Sequence, residues 1–212
     1  MAPVSPPRCP CGTADFATMS RLPPFRRDEL DDTGRALFDR IVETRPAGVL
    51  DAAGGLLGPF NAWVAAPDLG RHLIELGTTL RFGMSIDRRL IEVAIITTGA
   101  RWHAEFEWWA HARMAREHGV ADDVIETIGA GTDPPFTDDD ERIVHVVARE
   151  LATSGRIDDA TYRDAQARLG DRGMVELVTL CGYYALVSFT LNAFAVPLPD
   201  GVAPRWGAMK SP

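Results

Sequence analysis

Between residues 171 and 194 the sequence reads DRGMVELVTLCGYYALVSFTLNAF, which is apolar on nearly every side when wound as a helix. Such a helix has no face to give to water, so it belongs at the centre of its domain or at a contact between subunits. Glu176, Asn192 and several small polar residues interrupt the stretch 174–196. It therefore falls short of the ~18 or more uninterrupted apolar residues of a membrane span. A chain built around this segment needs amphipathic partners for it.

The rest of the sequence supplies them as helix after helix. Residues 28–44 place Leu30, Leu37, Phe38, Ile41 and Val42 at helical spacing behind an acidic first turn. Further helices are expected near 60–66, over 67–82 opened by Pro67 and Asp68, and over 86–100, 104–118, 121–130, 138–154, 158–169 and 171–194. The β-branched run Val93 to Thr98 resembles a strand in isolation, but its flanks favour helix, and no segment alternates with period two. The connector AGVLDAAGGLLGPF is broken by Gly54, Gly55, Gly58 and Pro59 and is long for a plain link, so it is expected to pack somewhere useful. The class is all-α, in three parts: a disordered leader over 1–24, a single helical domain over 25–200, and an extended tail over 201–212 begun by Pro197, Pro199 and Pro204. Residues 1–18 lack the basic start and apolar run of a signal peptide, and Met19 is a plausible start.

Composition narrows the function classes. With 46% hydrophobic and 25% charged residues among 212, the chain can bury a real core. Its net charge of −8 argues against a nucleic-acid partner, because phosphate binding needs clustered cations. Cys9, Cys11 and Cys181 form no disulfide framework, and a cytoplasmic setting with no membrane attachment is expected.

The chemistry is concentrated in RWHAEFEWWAHARMA, residues 101–115, where His103, Glu105, Glu107 and His111 run through an otherwise greasy helix. Glu107 and His111 are one turn apart on a stripe with Ala104, Trp108 and Ala115. A carboxylate placed among apolar flanks must be paired, protonated or used. A Glu and a His in a partly dry site can be tuned for acid and base catalysis near neutrality. The plainer alternative is an inter-helix hydrogen bond or ion-pair network without chemistry. A metal reading for His103, Glu107 and His111 is disfavoured, since the outer pair would lie roughly 12 Å apart along the axis and three such ligands do not easily converge on one ion.

Three blocks in order carry a family resemblance: GPFNAWVAAPDLG at 58–70, RRLIEVAIITTGARWHAEFEWWAHARMAREHGVADDVIETI at 88–128, and LVTLCGYYALVSFTLNAFAVPLP at 177–199. Together they resemble the carboxymuconolactone decarboxylase family, which also contains the AhpD-like alkylhydroperoxidases. The resemblance implies an AhpD-like all-α domain of about six to nine helices, assembled as homotrimers or homohexamers with active sites near subunit contacts. The peroxidase branch carries a Cys-x-x-Cys-x-x-x-His helix preceded, twelve residues before the first cysteine, by a relay glutamate. Here Glu92 and His111 match the glutamate and histidine, but the cysteine positions hold Ala104 and Glu107. Dithiol peroxide reduction lacks its nucleophile and its resolving partner on this helix.

The pattern AEFEWWAH looks like the decarboxylase branch, which acts on a small anionic lactone without metal or organic cofactor. On that resemblance His111, Glu92 and Glu107 are the catalytic candidates, with His111 delivering a proton to the carbanion formed as CO2 leaves. Arg71, His72, Arg101 and His103, with Arg81 beside them, are candidates to hold the substrate anion, although surface salt bridges explain arginines equally well. Phe60, Trp63 and Tyr183 are candidates for an apolar pocket wall, against the alternative of core packing. Isomerisation, hydrolysis or elimination on a related lactone or cyclic enol, and a non-catalytic oligomeric binding protein, remain open alternatives at this point.

Overall fold

The computed structural model describes residues 20–45 and 48–207. Cys9, Cys11, most of the expected leader and the end of the expected tail lie outside the described residues. Among the described residues eight α-helices follow in order: α1 (Asp32–Thr44), α2 (Phe60–Val64), α3 (Pro67–Phe82), α4 (Arg88–Arg101), α5 (Glu105–Glu117), α6 (Asp122–Ala130), α7 (Asp139–Ser154) and α8 (Asp159–Ala193). The fold is all-α, as the sequence predicts. The helix expected from residue 28 begins instead at Asp32, because the Asp31 carboxylate accepts from the Gly34 amide and caps it there; a short 3-10 turn at Arg27–Glu29 precedes it. The two last expected helices are both present, as two arms of α8 separated at Gly170, whose φ of 67° and ψ of 177° no other residue type adopts without strain.

The centre of the domain is α4 rather than α8. Every residue of α4 from Leu90 through Gly99 is buried, with α5, α7 and α8 packed around it. Ile95 and Ile96 are fully enclosed, and each such side chain contributes roughly 1.5–3 kcal/mol of burial energy. This is why Val93 to Thr98 is β-branched yet helical: burial on all sides overrides a weak local propensity.

The far arm of α8 is half central. Leu177, Leu180, Tyr184 and Val187 pack inward, while Val175, Val178, Leu186 and Phe189 form an exposed apolar row on the other side. By length and composition α8 would pass for a membrane-crossing helix, but half of its most apolar stretch is buried inside this domain.

Contacts extend past the expected domain limits at both ends. The Arg21 amide donates to the Phe194 carbonyl at 2.8 Å, and the amides of Arg205 and Trp206 both donate to the Glu105 carboxylate at 2.7 Å. The Gly-rich connector curls back on itself through a bridge between Leu50 and Leu56, with the Asp51 carboxylate accepting from the Ala53 and Gly55 amides. Its end leads into α2 and brings Val49, Leu57 and Pro59 to the rim of a cavity.

Candidate active site

The helix α5 packs against α4 so that His111 faces Glu92 at the middle of the core. His111 Nδ1 donates to Glu92 Oε2 at 2.7 Å, and Nε2 lies 3.0 Å from Glu107 Oε1. The second contact is an ion pair without hydrogen-bond geometry, and Glu107 Oε1 has no hydrogen-bond partner among the described residues. All three side chains are buried: 0% of Glu92, 4% of Glu107 and 7% of His111 is exposed. Glu107 sits in the first turn of α5, where the helix dipole favours an anion. Arg88 closes the network from behind, giving one N–H to Glu92 Oε1 at 2.5 Å and another to the Arg81 carbonyl at 2.8 Å.

Charge in this cluster follows from that geometry. Burial alone would strip the imidazole of its proton, but the Glu92 and Glu107 carboxylates outweigh it and hold His111 up at about 9. Burial also opposes ionisation of Glu92, yet His111, Arg88 and Arg81 together keep its carboxyl below the usual range. At neutral pH the cluster is therefore an imidazolium between two acids, ready to give a proton.

His111 and Glu107 open onto a cavity of about 510 Å3; Glu92 does not line it and meets it only through His111. A continuous row of ring contacts forms one wall. It runs from the Arg45 guanidinium over Phe60 (5.0 Å) to Trp63 (5.4 Å), Tyr183 (6.4 Å), Tyr184 (5.3 Å) and His111 (5.1 Å). Tyr183 is seated by its hydroxyl donating to the Leu73 carbonyl at 3.1 Å, in space that Gly77 leaves open: a Cβ there would lie 2.3 Å from the hydroxyl oxygen. Burial, with Glu107 nearby, raises both tyrosines above the ordinary phenol range, so both stay neutral. Arg45 and Arg81 also line the cavity, and burial together with the Arg81 cation lowers Arg45 from its ordinary value. Two donors on this wall, Trp63 Nε1 and Arg81 Nε, have no hydrogen-bond partner among the described residues.

The structure thus brings Phe60, Trp63, Tyr183, Glu107, His111 and Arg81 to one cavity. It does not bring Arg71, His72, Arg101 or His103 there. Gly70, Ile74, Gly77 and Arg81 share the inward stripe of α3, whereas Arg71 and His72 fall on its exposed side, His72 beside Glu75 at 3.8 Å. Arg101 is exposed and lies over the Trp102 ring at 5.2 Å. His103 occupies the turn before α5 and stacks on Trp206 at 4.9 Å. Arg45 was not anticipated from the sequence. It stands just past the end of α1, and nothing local marks it, since the connector and α2 carry the cavity to it.

Positions 104 and 107, where a peroxidase of this fold would need cysteines, place Ala104 at the start of α5 and the Glu107 carboxylate at the cavity. Cys181, the free cysteine among the described residues, is enclosed in α8, and burial pushes its thiol up to about 12.

No protein-family model matches the sequence, and no curated protein matches it. Solved structures do. An uncharacterized peroxidase-related protein from Ralstonia eutropha JMP134, described as an alkylhydroperoxidase AhpD core, superposes with a TM-score of 0.69 at 16% identity over 85% of this chain and 93% of that one. The fold is AhpD-like. An uncharacterized peroxidase-related protein from Silicibacter sp. TM1040 gives 0.66 at 15% identity over 86% and 92% of the two chains. A putative antioxidant defence protein AhpD from Agrobacterium tumefaciens, itself of unknown function, gives 0.60 at 15% identity over 66% of this chain and 96% of that one. At such identity the likeness is one of fold, and the chemistry must be argued from the side chains.

Proposed function

We propose that this chain is a cofactor-independent enzyme that uses Glu107 and His111 for acid–base chemistry on a small anionic lactone or cyclic enol, and that the reaction is a decarboxylation. The observation that carries this reading is the protonated His111 held between two carboxylates, with His111 and Glu107 both at the wall of a cavity. In the decarboxylation the bond from the ring carbon to the carboxylate breaks, CO2 departs, and the electron pair spreads into the conjugated ring carbonyl. His111 then gives its proton to the ring and recovers one from solvent, so the substrate exchanges CO2 for a proton. Glu92 holds the imidazolium in place, and Glu107 favours its charged form until the proton moves. The dithiol peroxidase route is not part of this proposal, because positions 104 and 107 lack the sulfur it requires.

The reading includes assembly into trimers or hexamers, supported by the exposed apolar row Val175, Val178, Leu186 and Phe189 on α8. The test of function is release of CO2 from γ-carboxymuconolactone by the wild-type chain and by Glu107→Gln and His111→Gln. Release by wild type that both variants abolish supports the reading. Absence of release at high enzyme concentration removes the decarboxylase assignment, and the same variants assayed on related lactones then decide the broader acid–base claim.

A further inference from the structure

The cavity is chemically two-ended. At one end stand Glu107 and His111 with Tyr184; at the other stand Arg45 with Phe60 and Trp63; Tyr183 lies between them along the aromatic row, and Arg81 lies between them too, near enough to act on both Arg45 and Glu92. The acid–base end has its charges matched internally by Glu92, Glu107 and Arg88. The arginine end does not. No salt bridge to Arg45 or Arg81 occurs among the described residues, although each lines the cavity and each is at least partly buried. Beside them Trp63, 5% exposed, keeps an indole N–H without a partner, and Arg81 keeps its Nε–H likewise. Two unpartnered donors and two like charges on one partly dry cavity wall are costly unless an anion joins them.

We infer that Arg45, Arg81 and the indole N–H of Trp63 form a clamp for a carboxylate that the substrate keeps through the reaction, with the reacting carbon placed at Glu107 and His111. This rests on the acid–base reading of the other end. A carboxylate gripped by two guanidinium groups is a poor leaving group, since the clamp stabilises the bound anion more than the state in which its charge has moved into the ring. The group that leaves must then be a second one, outside the clamp and at Glu107 and His111. The substrate class is accordingly a flat, largely apolar ring of modest size bearing a retained carboxylate, sandwiched by Phe60, Trp63 and Tyr183.

Isothermal titration with benzoate and its neutral counterpart benzamide tests the clamp without any turnover. Benzoate should bind at least tenfold more tightly than benzamide. Arg45→Gln, Arg81→Gln and Trp63→Phe should each weaken benzoate by threefold or more while leaving benzamide within twofold. His145→Gln, away from the cavity, should keep benzoate affinity within threefold. Equal binding of the two probes, no benzoate binding up to its solubility, or benzoate binding that survives both arginine variants overturns the clamp. If benzoate binds as expected while His111→Gln leaves turnover untouched, the clamp stands and the acid–base reading falls.

Discussion

Two buried histidines flank α4, and their surroundings could hardly differ more. His111 meets two carboxylates and a cavity. His145, on α7, meets the Thr97 hydroxyl at 2.9 Å and the Phe136 ring at 5.2 Å, and its Nε2 has no partner among the described residues. Burial, with the Arg149 cation nearby, pushes His145 down to about 4, so it is neutral where His111 is charged. Burial of a histidine is thus not what marks a site. Two carboxylates on one imidazole, together with access to a cavity, separate the proposed proton donor from a core residue.

The largest effect that can break this contrast is on turnover. With an accepted substrate, His111→Gln should lower kcat by roughly 10²–10⁴-fold, the usual range for a lost general acid. His145→Gln should leave kcat within about twofold. Equal losses in both, in variants shown to be folded by circular dichroism, would mean that His111 is also only structural.

Next in size is stability. Replacing His111 leaves Glu92 and Glu107 buried and short of a counter-charge, which should cost about 3–5 kcal/mol in urea unfolding at pH 7. His145→Gln loses one hydrogen bond in the core and should cost about 1–2 kcal/mol.

The two residues should also act on opposite limbs of the pH–stability curve. The folded value of His111 is about 9 against 6.5 unfolded, so its contribution is complete below 6.5 and is lost as pH rises through 9. The folded value of His145 is about 4, so the unfolded state takes up the proton first, and stability falls as pH drops from 6.5 towards 4. Glu92, held below its ordinary 4.5, adds a further loss at still lower pH. Thermal melts across this range should peak near neutrality; His111→Gln should flatten the alkaline side, and His145→Gln the acid side between 4 and 6.5. A smaller effect concerns the wall between the two ends of the cavity. Gly77→Ala forces the Tyr183 ring to move and should cost about 1–3 kcal/mol, read as a lowered melting temperature.

Most of the helical plan was legible in the sequence because caps and apolar spacing are local. α7 and α8 begin within a residue of where they were expected, each capped by an aspartate, Asp138 and Asp158, and Gly170 ends one arm where a break was expected. The pairing of Glu107 with His111 was legible for the same reason, being one turn of one helix. Glu92 was reachable only through the family pattern. The residues proposed to hold an anion were the least legible. Arg81 lies on the inward stripe of α3 with Ile74 and Gly77, which the spacing of α3 could have separated from Arg71 and His72. Arg45 is brought in by a long-range return of chain, and no periodicity encodes that.

The central claim is the charge state of His111, and imidazole NMR titration of the folded protein reads it directly. With histidine labelled at its ring nitrogens and assigned through His111→Gln and His145→Gln, the account predicts that His111 stays protonated past neutrality and titrates near 9, while His145 stays neutral until about 4. A His111 that loses its proton at or below 6.5 would contradict the account.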